Sequence, residues 1–302
     1  MLISVVIPVH NRRSELKRAL ESILKQTHQE FEVIVVDDSS TDSPETLTRE
    51  LNDPRIKFIR NGSKSNANIA RNIGIKAAMG EYVAMLDSDD EWMPEHLEHK
   101  LNFLKERNTD GVFGSLKIFN GEDYRTIVSR PLADNEKMAN YLLSGGFAQT
   151  STHFYKRNTI QDILFNEGIR DHDDLDLAVR FFKKYKFIAD QHVSVIVNWK
   201  LDGKRSVDYN SQIKFIETYK NEIEPLTYAK HNIIMYGRAK QSGAETNIIE
   251  HYKKESLRHI KLISLTDFMT FAAPKTIFGK INARIMFRLR QVFSVDSSLR
   301  SA

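Results

Sequence analysis

Three carboxylates follow one apolar segment and form the most chemically informative stretch of the sequence. The segment Tyr82–Met85, followed by Leu86, has the composition of a buried strand. Directly after it come Asp87, Asp89 and Asp90. Charge at the end of a buried strand costs free energy unless it is paired or binds a metal ion. Carboxylate oxygens suit Mg²⁺ and Mn²⁺, which commonly bridge a protein to a diphosphate. The stretch therefore predicts a divalent-metal site for a phosphorylated ligand.

A second pair of acids ends an earlier strand-like segment. Asp37 and Asp38 follow residues 31–36, which are apolar except for Glu32. In an α/β sheet the ligand crevice lies at the carboxyl ends of parallel strands, so we expect both acidic pairs to face one crevice. Asp87 and Asp89 alternate along an extended backbone and should point the same way.

Alternating strand and helix patterns position these acids. Apolar runs alternate with segments of helical periodicity over the first 110 residues, and this βαβα order predicts a mainly parallel central sheet with helices on both faces. The predicted strands are residues 3–9, 31–36, 55–59 and 82–86. Later strands are predicted at 112–119 and 193–199, and the signal beyond residue 203 is helical. We predict an α/β domain over 1–205 and a helical C-terminal extension over 206–302.

Composition narrows the class of protein. The chain has 302 residues, 41% hydrophobic and 28% charged, and no cysteine, which excludes disulfides and zinc–thiolate sites. A net charge of +4 with interspersed signs gives no reason to expect nucleic acid as a partner. We read no secretory signal and no apolar run near the roughly 20 residues of a spanning helix, so we expect a cytoplasmic location.

One basic segment near the C-terminus has a membrane-surface pattern. Residues 275–293 hold an apolar stripe, a basic stripe and no acid. That composition is typical of a helix lying on anionic lipid, and it predicts peripheral contact with the inner face of a membrane. A helix packed on the catalytic domain with a solvated basic face explains the pattern equally well.

Two common nucleotide fingerprints are absent from the sequence. Neither G-x-G-x-x-G after a strand nor G-x-x-x-x-G-K-[ST] occurs, so dinucleotide binding and P-loop hydrolysis both lose support. A bound phosphate would need to be neutralised by a metal ion and side chains.

The ordered motifs of the first hundred residues resemble the family 2 glycosyltransferases, an inverting group with the GT-A fold. The matching stretches are residues 4–11, 22–27, 35–42, 70–75, 80–90 and 92–94, and a fainter likeness continues to about residue 205. The resemblance implies a single GT-A nucleotide-sugar-binding domain. It further implies transfer of a sugar from a nucleotide-diphosphate donor, with a UDP-sugar expected, to a hydroxyl of a saccharide or lipid-linked acceptor. Cell-surface polysaccharide or glycolipid would be the product.

The same resemblance assigns nucleotide contacts. It places Pro8 and His10 beside the base, Asp38 on the pyrimidine edge, and Arg71 against the base and diphosphate. Taken singly, His10 is more often a satisfied surface or core histidine, and Arg71 on a helix could equally be a solvated ion-pair partner. For Asp37 an Asx-turn is the better interpretation.

Metal contacts also follow from the resemblance. Asp87 matches the first acid of the D-x-D element, near the ribose and the metal. Asp89 matches the last acid, the direct ligand of Mn²⁺ or Mg²⁺. Asp90 is expected instead to cap the helix that begins near Pro94.

A general base is implied by the segment 170–180, which looks like the family's E-D-x-D-L-x-x-R element. The alignment gives the base position to Asp174, puts Asp173 in place of the usual glutamate, and predicts an i,i+4 pair between Asp176 and Arg180. The alternative is an acidic helix N-terminus favoured by the helix dipole. The dipole and a metal would keep Asp174 ionised, whereas a neighbouring carboxylate would oppose ionisation.

One departure from the family pattern lies after the last predicted strand. Asp202 stands where many relatives have a histidine that approaches the metal and diphosphate. Either Asp202 substitutes as an oxygen ligand, or Lys204 and Arg205 hold the diphosphate.

Two other functions are compatible with these residues. A sugar-nucleotide nucleotidyltransferase would share the core, but a glycine-rich basic loop after Ile7 is missing. A non-catalytic module that binds nucleotide-sugar is opposed by Asp87, Asp89 and Asp174 and kept open by Asp202.

Overall fold

An α/β architecture surrounds one mixed sheet that has nine strands in the described part of the chain. The computed structural model describes residues 1–169, 172–199, 208–258 and 260–262. The chain divides into two units, residues 1–222 and 223–302. The predicted domain boundary after residue 205 and the basic segment 275–293 lie outside the described residues. Both therefore stay predictions.

The first half of the sheet is parallel. Its strands lie in the order β3–β2–β1–β4, and the connecting helices are α1, α2 and α3. Their bounds are β1 Ile3–Val9, α1 Arg13–Leu24, β2 Phe31–Asp37, α2 Pro44–Leu51, β3 Ile56–Arg60, α3 Ala67–Ala77 and β4 Tyr82–Met85. The predicted alternation over this half is confirmed.

Helices cover both faces of β1, which explains its continuous apolar sequence. Val5 and Ile7 join the core cluster that contains Leu16 and Leu20 of α1. Val6 points to the other face, where it meets Gly74 of α3. Residues of β1 are therefore buried on both sides of the sheet.

Strands of mixed direction complete the sheet. The order continues β4–β8–β6–β9–β5, with β7 paired to β6. The remaining bounds in the first unit are β5 Glu91–Trp92, α4 His96–Glu106, β6 Gly111–Phe119, β7 Tyr124–Ile127, α5 Met138–Leu143, β8 Phe154–Lys156, α6 Arg157–Ile163, α7 Asp173–Lys184, β9 Phe187–Asn198 and α8 Tyr209–Tyr219. Strands β5, β7 and β8 were not predicted, because two to four residues are too few to show a period.

The carboxyl ends of the long strands share one edge. β8 is antiparallel to both β4 and β6, so β6 runs in the direction of β4, and β9 is parallel to β6. The ends of β1, β2, β4, β6 and β9 therefore face the same side of the sheet. This edge, here called the carboxyl edge, is where an α/β fold places its ligands.

The second unit begins with a helical pair. Helix α9 spans Pro225–Ser242 and α10 spans Thr246–Arg258. The Tyr228 hydroxyl donates a hydrogen bond to Glu255 Oε2 at 2.8 Å, and this bond joins the two helices. Among the described residues, no helix is long and apolar enough to cross a membrane.

Candidate active site

The ends of β1 and β2 form one side of the carboxyl edge. Asp38 Oδ1 accepts hydrogen bonds from Ser65 N at 2.9 Å, Ser65 Oγ at 2.6 Å and Asn61 Nδ2 at 3.0 Å. His10 Nδ1 lies 2.8 Å from the carbonyl oxygen of Asp38. Pro8 is buried within β1, opposite Val36. The carboxyl group of Asp38 is thus held in place beside His10.

Asp37 has the structural role that was predicted for it. Its Oδ1 accepts a hydrogen bond from Ser40 N at 2.9 Å, which fixes the turn after β2; the bond reaches three residues along the chain, one more than in an Asx-turn. Arg60 Nε lies 3.8 Å from the other carboxylate oxygen. Asp37 is thus occupied by the turn after β2, while Asp38 follows it at the carboxyl edge.

Arg71 joins two acids from distant parts of the chain. Its Nη2 donates to Asp87 Oδ1 at 2.7 Å and its Nη1 donates to Asp173 Oδ2 at 2.5 Å. The residue is 6% exposed, and its guanidinium lies 5.0 Å from the Phe165 ring centroid. Burial alone would lower the pKa of Arg71, but the charges of Asp87 and Asp173 outweigh it and raise the pKa. Arg71 is therefore not the solvated surface ion-pair partner that the sequence left open as an alternative.

Residues 87–90 form a tight segment, here called the acidic turn. Asp90 N donates to Asp87 O at 3.0 Å, and Asp87 N donates to Ser151 Oγ at 3.0 Å. Asp89 forms an ion pair with Arg12, and its carbonyl oxygen accepts from Asn198 Nδ2 at 2.9 Å. Burial raises the pKa of Asp89; Arg12 opposes that shift and Asp87 adds to it.

The predicted helix cap at Asp90 is wrong. Helix α4 begins at His96 without any side-chain cap. Asp90 is 2% exposed, and its Oδ2 accepts from Ser151 Oγ at 2.6 Å and Gln149 Nε2 at 3.1 Å. Its Oδ1 accepts from Asn198 N at 3.2 Å. Burial, then the charges of Asp87 and Asp89, raise the pKa of Asp90 well above its usual range.

Asp174 lies in the first turn of α7, close to the acidic turn. Burial, followed by the charge of Asp173, raises the pKa of Asp174 to about 7, while the charge of Arg71 opposes the shift. Desolvation and a like charge therefore outweigh the favourable helix dipole. The predicted pair on the same helix is confirmed, with Arg180 Nε 2.7 Å from Asp176 Oδ2.

Two asparagines of α3 position the segment that leads to α7. Asn72 Nδ2 donates to Phe165 O at 2.9 Å and to Glu167 Oε1 at 3.0 Å. Asn68 Nδ2 donates to Ile169 O at 2.7 Å. Helix α3 thus anchors residues 165–169 beside the Arg71 bridge.

Comparison with known proteins establishes the family. Residues 4–164 match the sequence model described as Glycosyl transferase family 2. This chain belongs to that family. It is 33% identical over 197 residues to the amylovoran biosynthesis glycosyltransferase AmsB of Erwinia amylovora, a match covering 61% of this chain and 65% of the relative. The aligned stretch thus spans slightly less than two thirds of that relative.

Solved structures support the GT-A fold of this family 2 chain. Staphylococcus aureus TarS 1–349 in complex with UDP-GlcNAc superposes with a TM-score of 0.62 at 20% identity, covering 90% of this chain and 82% of TarS. The mannosyltransferase PcManGT of Pyrobaculum calidifontis, in complex with GDP-Man and Mn²⁺, gives a TM-score of 0.54 at 17% identity and covers 97% and 80% of the two chains. The predicted fold class is confirmed.

The acids of this family 2 chain fit a divalent cation by their chemistry. Within the described ranges, no three His, Asp or Glu side chains cluster as a complete metal cage. Mg²⁺ usually takes only one or two carboxylates and completes its shell with substrate phosphates and water. In the described part of the chain, Asp90 and Asp174 are hydrogen-bonded by uncharged donors only. Burial, and after it the charges of neighbouring carboxylates, raise the pKa of Asp90 and Asp174, and burial raises that of Asp89 against the opposing charge of Arg12. A bound cation would offset each of these shifts.

Three residues that the sequence predicted for this site lie outside the described residues, namely Asp202, Lys204 and Arg205. The partners that sequence reasoning missed are Arg12, Asn68, Asn72, Gln149 and Ser151. Asn72 follows Arg71 in a motif that matches the family, so the sequence did point to it. Nothing in the sequence pointed to Gln149 or Ser151, because their role depends on contact with Asp90, some 60 residues earlier.

Proposed function

We propose that this protein is an inverting glycosyltransferase that moves a sugar from a UDP-sugar to a hydroxyl of a saccharide or lipid-linked acceptor. One observation carries the proposal: Arg71 joins Asp87 of the acidic turn to Asp173, the neighbour of Asp174. The acid proposed to contact the metal and the residue beside the proposed base are thereby joined in one network. The relative named for amylovoran biosynthesis supports a product in polysaccharide or glycolipid synthesis.

The proposed nucleotide contacts begin at Asp38. Three donors from Ser65 and Asn61 converge on Oδ1. Oδ2 accepts no hydrogen bond from the described residues, so it can accept one from the imide N–H of uracil. Pro8 and His10 would border the base, because both lie at the neighbouring end of β1.

The proposed metal contacts are the carboxylates of Asp89 and Asp87, with Mn²⁺ or Mg²⁺ as the ion. A bound divalent cation would neutralise the negative charge that develops on the leaving diphosphate. Arg12 forms an ion pair with Asp89 and therefore lies beside the acidic turn. Asp202, Lys204 and Arg205 remain predicted contributors to this region.

Asp174 is the proposed base. It would take the proton of the acceptor hydroxyl while that oxygen bonds to the anomeric carbon and the bond to the diphosphate oxygen breaks. Attack opposite the leaving group inverts the anomeric configuration. A pKa of about 7 is suited to this task, since a general base is most effective when its pKa lies near the working pH.

The test is a panel of nucleotide-sugars offered to the full chain with Mn²⁺, followed by measurement of released nucleotide and glycoside product. We expect Asp174→Asn to reduce kcat by about 10²–10⁴-fold, the usual contribution of a general base, without weakening UDP binding. Asp162→Asn, an exposed acid paired with Lys184, is the matched control and should keep full activity. Near-normal turnover of folded Asp174→Asn would remove it as the base.

The same assay separates the alternative functions. Pyrophosphate release from a nucleoside triphosphate and a sugar phosphate would indicate a nucleotidyltransferase. Metal-dependent UDP binding without transfer or hydrolysis of any donor would indicate a binding module. Peripheral membrane contact through residues 275–293 and a cytoplasmic location stay predictions.

A further inference from the structure

One arginine lies against the acid that the proposed function assigns to the metal. Arg12 Nη1 forms an ion pair with Asp89 Oδ2. The side chain of Arg12 is 48% exposed and that of Asp89 is 29% exposed. An ion pair as open to water as this one contributes little free energy, so it can break at small cost. Arg71 differs, because it is buried and held by two acids at once.

The backbone on either side of Arg12 is fixed. Asn11 adopts the left-handed conformation, with a φ of 51°, and its Oδ1 accepts from Thr41 N at 2.8 Å. Arg13 N donates to Asp42 Oδ2 at 2.7 Å. These two bonds tie the turn between β1 and α1 to the turn after β2. The fold therefore sets the position of Arg12, while its exposed side chain can change direction.

This position lies between the two parts of the proposed donor site. His10, which would border the base, is two residues before Arg12, so their Cα atoms are at most about 7 Å apart. On the other side Arg12 contacts Asp89, the proposed metal ligand. The diphosphate of a nucleotide that extends from His10 to Asp89 would lie within reach of the Arg12 guanidinium. Its five N–H donors suit phosphate oxygens.

The main chain of Asp89 is held by groups other than Arg12. Asp89 O accepts from Asn198 Nδ2 at 2.9 Å and from Arg18 Nη2 at 3.2 Å. Asn198 N also donates to Asp90 Oδ1 at 3.2 Å. Loss of the pair between Arg12 and Asp89 should therefore change the charge beside this carboxylate without displacing the acidic turn.

We propose that Arg12 couples the metal to the donor: it competes with the divalent cation for Asp89 and, once released, binds the diphosphate. The inference rests on the proposed function and specifies how that site admits its ligands. A guanidinium and a divalent cation at one carboxylate repel each other, whereas a diphosphate attracts both. Arg12 therefore weakens metal binding without nucleotide and strengthens nucleotide binding with metal. The site accordingly favours the metal and the nucleotide together over the metal alone.

Metal binding without nucleotide provides the first test, because its sign separates competition from a structural role. The probe is Mn²⁺ alone, added to the full chain, with free Mn²⁺ followed by electron paramagnetic resonance. We expect Arg12→Met to bind Mn²⁺ about two- to fivefold more tightly than the wild type, the range for an ion pair this exposed. Asp89→Asn should bind it more weakly. If Arg12 merely held Asp89 in place, Arg12→Met would weaken binding; weaker or unchanged binding would overturn the proposal.

Nucleotide binding provides the second test, by calorimetry with saturating Mn²⁺. Arg12→Met should bind UDP about tenfold more weakly, as expected on loss of a charge-assisted hydrogen bond. It should bind uridine, which lacks the diphosphate, as the wild type does. Arg12→Lys keeps the charge and should recover part of the UDP affinity. Wild-type UDP affinity in Arg12→Met, or an equal loss of affinity for uridine, would overturn the proposal.

Arg13→Met is the matched control for both tests. It removes a neighbouring cation that pairs with the exposed Glu50 at 2.8 Å, on a side chain that no proposed contact uses. We expect it to bind Mn²⁺, UDP and uridine as the wild type does.

The same samples distinguish failure of the coupling from failure of the proposed function. If the wild type binds UDP with Mn²⁺ and Arg12→Met binds both ligands equally well, the coupling is wrong and the proposed glycosyl transfer survives. If the wild type binds neither UDP nor any nucleotide-sugar, the proposed function itself fails.

Discussion

Arg71 shows how one side chain can connect both halves of a transfer reaction. Its planar fork reaches Asp87 with one nitrogen and Asp173 with another, at 2.7 and 2.5 Å. A lysine ammonium at this position could not hold two carboxylates in fixed directions. The charge of Arg71 also favours the ionised form of Asp174, the proposed base. We infer a positioning and electrostatic role for Arg71 in addition to any contact with the donor.

The pH dependence of catalysis should reveal this network. With Mn²⁺ supplied throughout, kcat/KM is expected to rise with pH as Asp174 loses its proton, with a midpoint at or below the pKa of about 7 that burial and the charge of Asp173 give this group. Asp173→Asn should move this limb to lower pH, because it removes the like charge that raises the pKa of Asp174. Arg71→Met should move it to higher pH, because it removes the opposing cation. Profiles from pH 5 to 9, with Arg49→Met as an exposed control, measure both shifts; two shifts of the same sign would contradict the network.

Stability should show the cost of keeping Asp174 ionised. Its folded-state pKa lies above the unfolded value, so its ionisation at high pH destabilises the fold, and the penalty disappears below the unfolded pKa near 4. The Asp174→Asn variant should therefore have a higher free energy of unfolding than the wild type at pH 8, by about 1–3 kcal/mol once screening by solvent is taken into account. Urea unfolding at pH 8 and pH 4 measures the effect, and the gain should vanish at pH 4. Asp162→Asn should show no gain, because Lys184 lowers the pKa of Asp162.

At the scale of elements, helix α3 has two faces with different tasks. Asn68, Arg71 and Asn72, spaced by three and four residues, hold the segment 165–169 and the acidic network. Gly74 faces the sheet, where an added Cβ would lie 2.4 Å from Val6 Cγ1 and 3.3 Å from Val36 Cγ2. Glycine thus allows α3 to approach β1 and β2 closely enough for Arg71 to reach its partners.

Gly74→Ala should therefore destabilise the protein. Overpacking of this kind costs about 1–3 kcal/mol, which exceeds the roughly 1 kcal/mol that alanine gains over glycine within a helix. Gly62→Ala is the control, since an added Cβ there meets nothing within 4 Å. Denaturant unfolding measures both variants, and a Gly74→Ala protein as stable as the wild type would show that the β1–α3 contact adjusts freely.

At the scale of the whole molecule, the carboxyl edge collects residues from four separated segments. Asp38, Arg71, Asp87 and Asp174 lie far apart in sequence and are united because β1, β2 and β4 end on one side. The residues proposed for the nucleotide and for the metal therefore lie on one edge of the sheet.

Ligand-dependent stability tests this arrangement. UDP with Mn²⁺ should raise the free energy of unfolding by about 2.7 kcal/mol at a concentration 100 times Kd, a shift of several degrees in Tm. EDTA should remove most of that gain, and so should Asp89→Asn. Asp134→Asn, at an exposed acid, is the control for lost charge. An equal UDP effect with EDTA and with Mn²⁺ would argue against the proposed metal contacts.

Local spacing alone determined much of this protein. The strands β1, β2, β3 and β4, the structural role of Asp37 in the turn after β2, and the pair of Asp176 with Arg180 each follow from residues a few positions apart. The acids that follow β2 and β4 could be predicted for the same reason, because each apolar strand segment and the acids after it are contiguous in the sequence. The family resemblance rested on such contiguous motifs in a fixed order.

Only the tertiary structure decided what those residues contact. Arg71 and Asp173 are 102 positions apart, and Asp90 and Ser151 are 61 apart, so no sequence period relates them. The short strands β5, β7 and β8 exist because neighbouring strands offer them hydrogen bonds, not because of their own residues. The pKa of Asp174 belongs to the same class, since burial and the approach of Asp173 arise only when α7 packs against the sheet. Charge and solvation depend on everything nearby in space, and chain folding alone brings those groups together.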